Sequence, residues 1–181
     1  MIVAPILVIL SAPCRAWDET QLLVLAREAV RCEVLGKKPP QPRGSERALP
    51  VFVTIERHGK VMGCRGALQS RESSLQHEVI RVARAAAYHD PRYRPMSAAD
   101  LKDFSVTVTI VQGMAPLSLA DLGSLRPEDG LVLQSGGRSG IVLPWEGKVP
   151  RERLTWAYRK AGVNEGTSCR LFRLKAQRFR G

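Results

Sequence analysis

The sequence is short of acid. Its 181 residues carry 17 Asp and Glu against 28 Lys and Arg, a net charge of +11. A surface of that sign attracts anions: nucleic acid, acidic lipid head groups, or an acidic substrate or partner. Aromatic residues are also scarce, at 6%, and none alternate along a strand. That argues against a base-stacking platform for nucleic acid. The cysteines, Cys14, Cys32, Cys64 and Cys169, include no Cys-x-x-Cys pair, and His58, His77 and His89 fall at no familiar ligand spacing. A structural zinc site is therefore not expected. There is no repeat of fixed period and no apolar run long enough to span a bilayer. The one glycine-rich stretch, Gly136-Gly137-Arg138-Ser139-Gly140, lies between two strand-like segments rather than ahead of a helix. It is not a P-loop, and no cofactor is implied.

What is present suffices for one domain with a real core, since 44% of the chain is apolar. Residues 1–16, MIVAPILVILSAPCRA, stand apart. Their apolar run and small-residue end resemble a secretory signal, but no Lys or Arg precedes the run. They read either as such a signal, making the protein exported, or as an N-terminal extension of a cytoplasmic one. In the first case Cys32 and Cys169 are free to pair and Cys64 is left over. The domain itself then occupies residues 17–181.

Local signals divide that domain into helices and strands. Asp18 caps a helix carrying Leu22, Leu25, Ala26, Ala29 and Val30 at helical spacing, with Gln21 completing a capping box and Gly36 ending the run. Val51–Arg57 and residues 60–68 form a hairpin about His58-Gly59. Ser73 or Ser74 caps a second helix, which ends before Asp90-Pro91. Ser97 caps a short turn through Leu101. Residues 104–111, FSVTVTIV, alternate Val106, Val108 and Ile110 against Ser105, Thr107 and Thr109. Two short strands, residues 131–134 and 139–143, flank the glycine pair. A helix over Pro150–Ala161 closes at Gly162, and a basic last strand runs from Arg170 to Phe179. Short-turn hairpins interspersed with helices predict an α+β fold, with helices flanking an antiparallel or mixed sheet.

Three segments carry candidate chemistry. Cys64 lies between Gly63 and Gly66 with Arg65 beside it; glycines within a strand mark a bulge or a close backbone approach. A nearby cation lowers a thiol pKa, but Arg65 and Cys64 face opposite ways in a regular strand. An isolated cysteine is also commonly a small buried hydrophobe. Asp90-Pro91-Arg92-Tyr93-Arg94-Pro95 sets two arginines on a rigid turn, suited to clamping a carboxylate or phosphate, or simply to shaping the turn. His89 is a general base for Cys64 only if the fold joins them. Arg138 sits in the glycine-rich loop, where a hairpin is the simpler reading.

Taken in order, these segments resemble the AMMECR-type domain, protein A of the AmmeMemoRadiSam system. That family has a Leu-Arg-Gly-Cys-Ile-Gly strand after a Phe-Val-Thr strand and a hairpin, matched here by FVTIERHGKVMGCRGAL over residues 52–68. Its Ala-rich helix and Asp-Pro-Arg-Phe are matched by Ala85-Ala86-Ala87 and Asp90-Pro91-Arg92-Tyr93. Its Gly-Arg-Ser-Gly-Leu-Leu-Leu-Pro is matched from Gly137 to Pro144. The resemblance implies an α+β unit of two subdomains flanking a cleft near the cysteine. It also implies Memo-type and radical-SAM partners in a modification pathway. Cys64 would then be nucleophile or covalent anchor, Gly63 and Gly66 would give backbone access, and Arg65, Arg92 and Arg138 would contact an anionic substrate. Two departures stand out: the motif arginine is Met62 here, and its isoleucine is Arg65. The rival readings are a basic nucleic-acid-binding module and a non-catalytic assembly subunit.

Overall fold

Six strands form a single antiparallel sheet in the order β2-β1-β3-β6-β4-β5 in the computed structural model, which describes residues 17–181. The signal-like stretch and Cys14 lie outside the described residues. In chain order the elements are α1 (Glu19–Val34), β1 (Val51–Arg57), β2 (Lys60–Gly66), α2 (Leu75–Tyr88), β3 (Phe104–Leu117), β4 (Asp129–Ser135), β5 (Arg138–Val142), α3 (Pro150–Ala161) and β6 (Arg170–Arg180). The fold is α+β, and every strand pairing is antiparallel.

Local chemistry accounts for most of these boundaries. Asp18 Oδ1 accepts from the N–H groups of Thr20 and Gln21 at 2.9 and 3.1 Å, so α1 is capped as expected. The capping box does not form, because the Gln21 side chain instead accepts from Gln76 of α2. Ser74 caps α2. The β1–β2 hairpin turns through His58 and Gly59, both at positive φ. Gly162 ends α3 in the left-handed region. β3 runs six residues past the expected end at Val111, because a bulge at Gln112 lets it continue alongside β6 to Leu117. Its Thr107 and Thr109, on the face opposite Val106, Val108 and Ile110, are buried as well. β3 lies near the middle of the sheet and is covered on both sides.

The helices all pack on one face. There Val51, Val53, Ile55, Val106, Val108 and Ile110 meet α1 and α2, while Leu131, Leu133, Val142 and Leu171 meet α3. These are two separate apolar clusters, one for each half of the sheet, joined where β3 pairs with β6. On the other face Phe52, Val111, Val132, Leu143 and Leu174 form a third cluster. Phe52 is next to the β2 edge and Leu143 follows the β5 edge. The sheet thus curls until its two edges look across a cleft.

Two buried polar groups brace this curl. Arg153 of α3 is almost inaccessible, and its guanidinium donates to the carbonyls of Arg126 and Asp129 at 2.8 and 2.7 Å. Further contacts to Pro127 and Gly147 complete its shell, so a buried cation is satisfied by backbone oxygen rather than by a carboxylate. Asp129 in β4 holds Lys175 and Arg173 of β6.

Candidate functional site

Cys64 lies in β2, an edge strand, opposite Thr54 of β1. The Thr54 Oγ1 donates to Cys64 Sγ at 3.2 Å. The outward backbone groups of Cys64 are not left to solvent. Its N–H donates to Asp90 Oδ2 at 2.9 Å, and its carbonyl accepts from Arg92 Nη2 at 2.6 Å. Asp90 and Arg92 pair with each other through Nε–Oδ1 at 2.9 Å and Nη2–Oδ2 at 2.8 Å. The Asp90-Pro91-Arg92 turn thereby acts as a one-residue substitute for a neighbouring strand and closes the sheet edge at Cys64. Burial alone would raise the Asp90 carboxyl, but the Arg92 guanidinium and the Cys64 and Arg92 N–H groups outweigh it and hold it below the usual carboxylate range. Arg94, the second arginine of the turn, is bound to Asp100.

The glycines around Cys64 have steric reasons. A Cβ on Gly63 would stand 1.9 Å from the Ala86 carbonyl oxygen of α2, and one on Gly66 would stand 2.2 Å from the Phe52 ring. A bulge opposite Ile55 and Glu56 makes Met62 the extra residue of β2. Met62 packs against the cluster under α1 and α2. The side chain standing where the resemblance expects arginine is thus turned onto apolar core.

Across the cleft, Ser139 and Ile141 come from β5 and Leu143 from just after it, while Arg159 and Lys160 come from the C-terminal end of α3. With Phe52, Cys64, Arg65, Gly66, Arg92 and Glu146 they enclose about 470 Å³. Lys160 Nζ lies 2.6 Å from Glu146 Oε2. Arg159 stacks on Trp156, its guanidinium 5.9 Å from the ring centroid. Arg65 lines this cleft as well, although strand alternation sets it on the opposite face from Cys64. Arg138 does not line it: its Nη1 donates to the Gly162 carbonyl at 2.7 Å, capping α3, and its neighbour Ser139 faces the cleft instead. Arg159, Lys160 and Glu146 were not singled out from the sequence. They are 80 or more residues from Cys64, and only closure of the sheet brings them near.

The thiol is not activated at rest. Burial pushes the Cys64 thiol above its ordinary range; the Thr54 hydrogen bond opposes this, Glu146 adds to it, and Arg92 and Lys160 pull it back without cancelling it. His89 is not its base. It lies beside Glu33, Nε2 to Oε1 3.5 Å, and is absent from the cleft lining. Alkylation of Cys64 by iodoacetamide should therefore be slower at pH 7 than that of a free cysteine and climb only in the alkaline range. Thr54→Val should shift the profile further up. A rate at pH 7 equal to that of free cysteine would contradict this picture.

Among the described residues the cysteines form no disulfide. Cys32 and Cys169 are both free, the latter 3.4 Å from the Tyr158 hydroxyl. Among the described residues no three His, Cys, Asp or Glu gather as a metal site, and no helix is long and apolar enough to cross a membrane. The basic last strand is largely spoken for: Arg173 and Lys175 contact Asp129, Arg180 contacts Glu56 and Ser105, and Arg178 stacks on Trp145.

Comparison with known proteins agrees with this architecture. A crystal structure of the uncharacterised protein PH0010 from Pyrococcus horikoshii superposes with a TM-score of 0.74 over 88% of this chain and 89% of that one; at 23% identity it shows a shared fold. A protein of Methanothermobacter thermautotrophicus is 30% identical over 184 residues, covering 90% of this chain and 94% of its own. One from Thermotoga maritima is 32% identical over 140 residues, covering 75% and 79%. One from Methanosarcina acetivorans is 32% identical over 133 residues, covering 66% of each chain. The AMMECR1 family model matches residues 23–181, from α1 through the last strand. The chain belongs to the AMMECR1 family.

Proposed function

We propose that the Cys64 cleft binds an anionic group of a small molecule or peptide, and that this protein is a substrate-binding component of a modification pathway. The observation that carries this is the convergence of Arg65, Arg159 and Lys160 on one cleft with Cys64, opposed by a single lining carboxylate, Glu146. Arg92 contributes as a positioning residue. Its Nε and Nη2 hold Asp90 and the Cys64 carbonyl, which leaves Nη1 for a ligand. The elevated thiol favours a binding or anchoring role for Cys64 over that of a standing thiolate nucleophile. Memo-type and radical-SAM proteins are the partners this reading expects.

Calorimetric titration with L-glutamate and with inorganic phosphate at low salt tests the reading. Arg159→Ala and Lys160→Ala should each weaken binding about tenfold, the worth of one hydrogen bond to a charged group. Unchanged affinity in both variants would remove the anion site. Cys64→Ser should lower either affinity or any turnover seen with the reconstituted partners; no change in both would exclude the cysteine. Nucleic acid is the weaker reading, because most of the basic charge on β6 is paired internally. No salt-dependent gel shift on RNA or DNA is expected.

A further inference from the structure

We propose that Glu146 is a built-in occupant of the Cys64 cleft: its carboxylate holds the place of a ligand carboxylate on Lys160, and the ligand must displace it to bind. This deepens the anion-binding reading and rests on it.

The contacts of Glu146 are those of a bound carboxylate. Its Oε2 accepts from Lys160 Nζ at 2.6 Å and from the Leu143 N–H at 2.9 Å, so one oxygen takes a cationic donor and a backbone donor together. It is the one acid among the residues lining the cleft. Arg65 and Arg159 line the same space, and neither has a carboxylate partner among the described residues. A second anion is therefore still welcome there, and a ligand carboxylate exchanged for Glu146 would find the same two donors.

The turn that presents Glu146 is held against its preference. Residues 143–146 close through Glu146 N–H to the Leu143 carbonyl at 3.1 Å. Trp145 occupies the third position at φ +64, a region that turns reserve for glycine and that a bulky side chain rarely enters. Its N–H is fixed to the Pro127 carbonyl at 2.8 Å, the residue is 45% exposed, and its ring stacks with Arg178. Strain of this kind persists only where surrounding contacts over-determine it, and it collects at ligand sites. Here its effect is to aim a carboxylate at Lys160. The exchange model also assigns the ligand class. An oxygen that fits between Lys160 and the Leu143 N–H where a glutamyl carboxylate already sits belongs to a carboxylate, such as an acidic side chain or a peptide C-terminus.

The test uses the full chain with Cys14, Cys32 and Cys169 changed to serine, so that iodoacetamide reports on Cys64 alone. Protection of Cys64 by L-glutamate and by inorganic phosphate is measured in this parent and in Glu146→Gln. The glutamine keeps an amide oxygen for the Leu143 N–H but not the charge on Lys160. Half-protection by glutamate is expected at about tenfold lower concentration in Glu146→Gln, with a smaller gain for phosphate. Glu146→Asp, which keeps the charge but falls short of Lys160, should also gain. Protection in the parent with no gain in either variant would overturn the occupant role and leave the anion site standing. No protection in any of the three would remove both. A phosphate gain equal to or above that of glutamate would overturn the carboxylate assignment.

Discussion

Gly140→Ala and Gly63→Ala are each expected to cost about 3 kcal/mol of folding stability, at the upper end of overpacking effects. The two positions are counterparts. Gly140 lies in edge strand β5, where a Cβ would stand 1.8 Å from the Ala157 carbonyl oxygen and 2.9 Å from the Ala161 nitrogen of α3. Gly63 lies in edge strand β2, where a Cβ would stand 1.9 Å from the Ala86 carbonyl oxygen of α2. In both cases the obstacle is helix backbone, which cannot rotate aside as a side chain can. Relief requires moving the helix off the sheet, and each helix closes one apolar cluster. For a domain of this size, such a loss lowers the thermal midpoint by roughly 6–12 °C. Gly113→Ala is the control, because a Cβ there meets nothing within 4 Å. It should fall within about 0.5 kcal/mol of wild type. Denaturant midpoints measured for the three variants check the ranking, and equal midpoints for all three would refute the steric argument. Both glycines also border the cleft, through Cys64 on one side and Ser139 on the other. The same variants should therefore alter the alkylation rate of Cys64.

Asp90→Ala should be nearly as damaging, by about 2–3 kcal/mol. The alanine leaves the Cys64 N–H without its acceptor and frees Arg92 from three contacts, one of them from its own backbone N–H. Arg92 is more than half exposed, so water recovers part of its loss and the ion pair by itself is worth little. The larger share comes from the unpaired backbone group at the sheet edge. Asp90→Asn keeps an oxygen for that N–H and should lose only about 1 kcal/mol. The pH dependence separates the charge from the hydrogen bond. Asp90 is held below its unfolded pKa, so its contribution is fully present above about pH 4 and is lost as pH falls through its folded value. Wild-type stability should fall across that acid window more steeply than that of Asp90→Asn. Parallel acid limbs would mean that the Arg92 pairing contributes nothing to the fold.

The elements were legible in the sequence wherever their causes are local. A cap at Asp18 or Ser74, a hairpin at His58-Gly59 and a helix stop at Gly162 each depend on a few adjacent residues, and they stand where those residues put them. The far end of β3 was not legible. Gln112 to Leu117 contains Gly113 and Pro116 and lacks clean alternation, and it becomes strand because β6 lies beside it. The site divides in the same way. Cys64 and its glycines could be marked as a unit, and the family resemblance gave them weight. Arg92 was marked as a ligand contact, yet most of its guanidinium closes the edge of β2. Arg138 was marked for the same role and caps α3.

By itself, then, the sequence determined the helices and most strand limits, the α+β class and the position of the cysteine. Backbone conformation answers to neighbours three or four residues away, and those neighbours are written in order. Tertiary structure alone decided the sheet order and the pairing of β3 with β6. It also decided the curl that sets Lys160, Arg159 and Glu146 opposite Cys64. These follow from how two apolar clusters are buried at once, a condition on the whole chain that no short window contains. The charge of the protein was evident from its composition; which of those charges remain available to a ligand was settled by the carboxylates folding brought to the others.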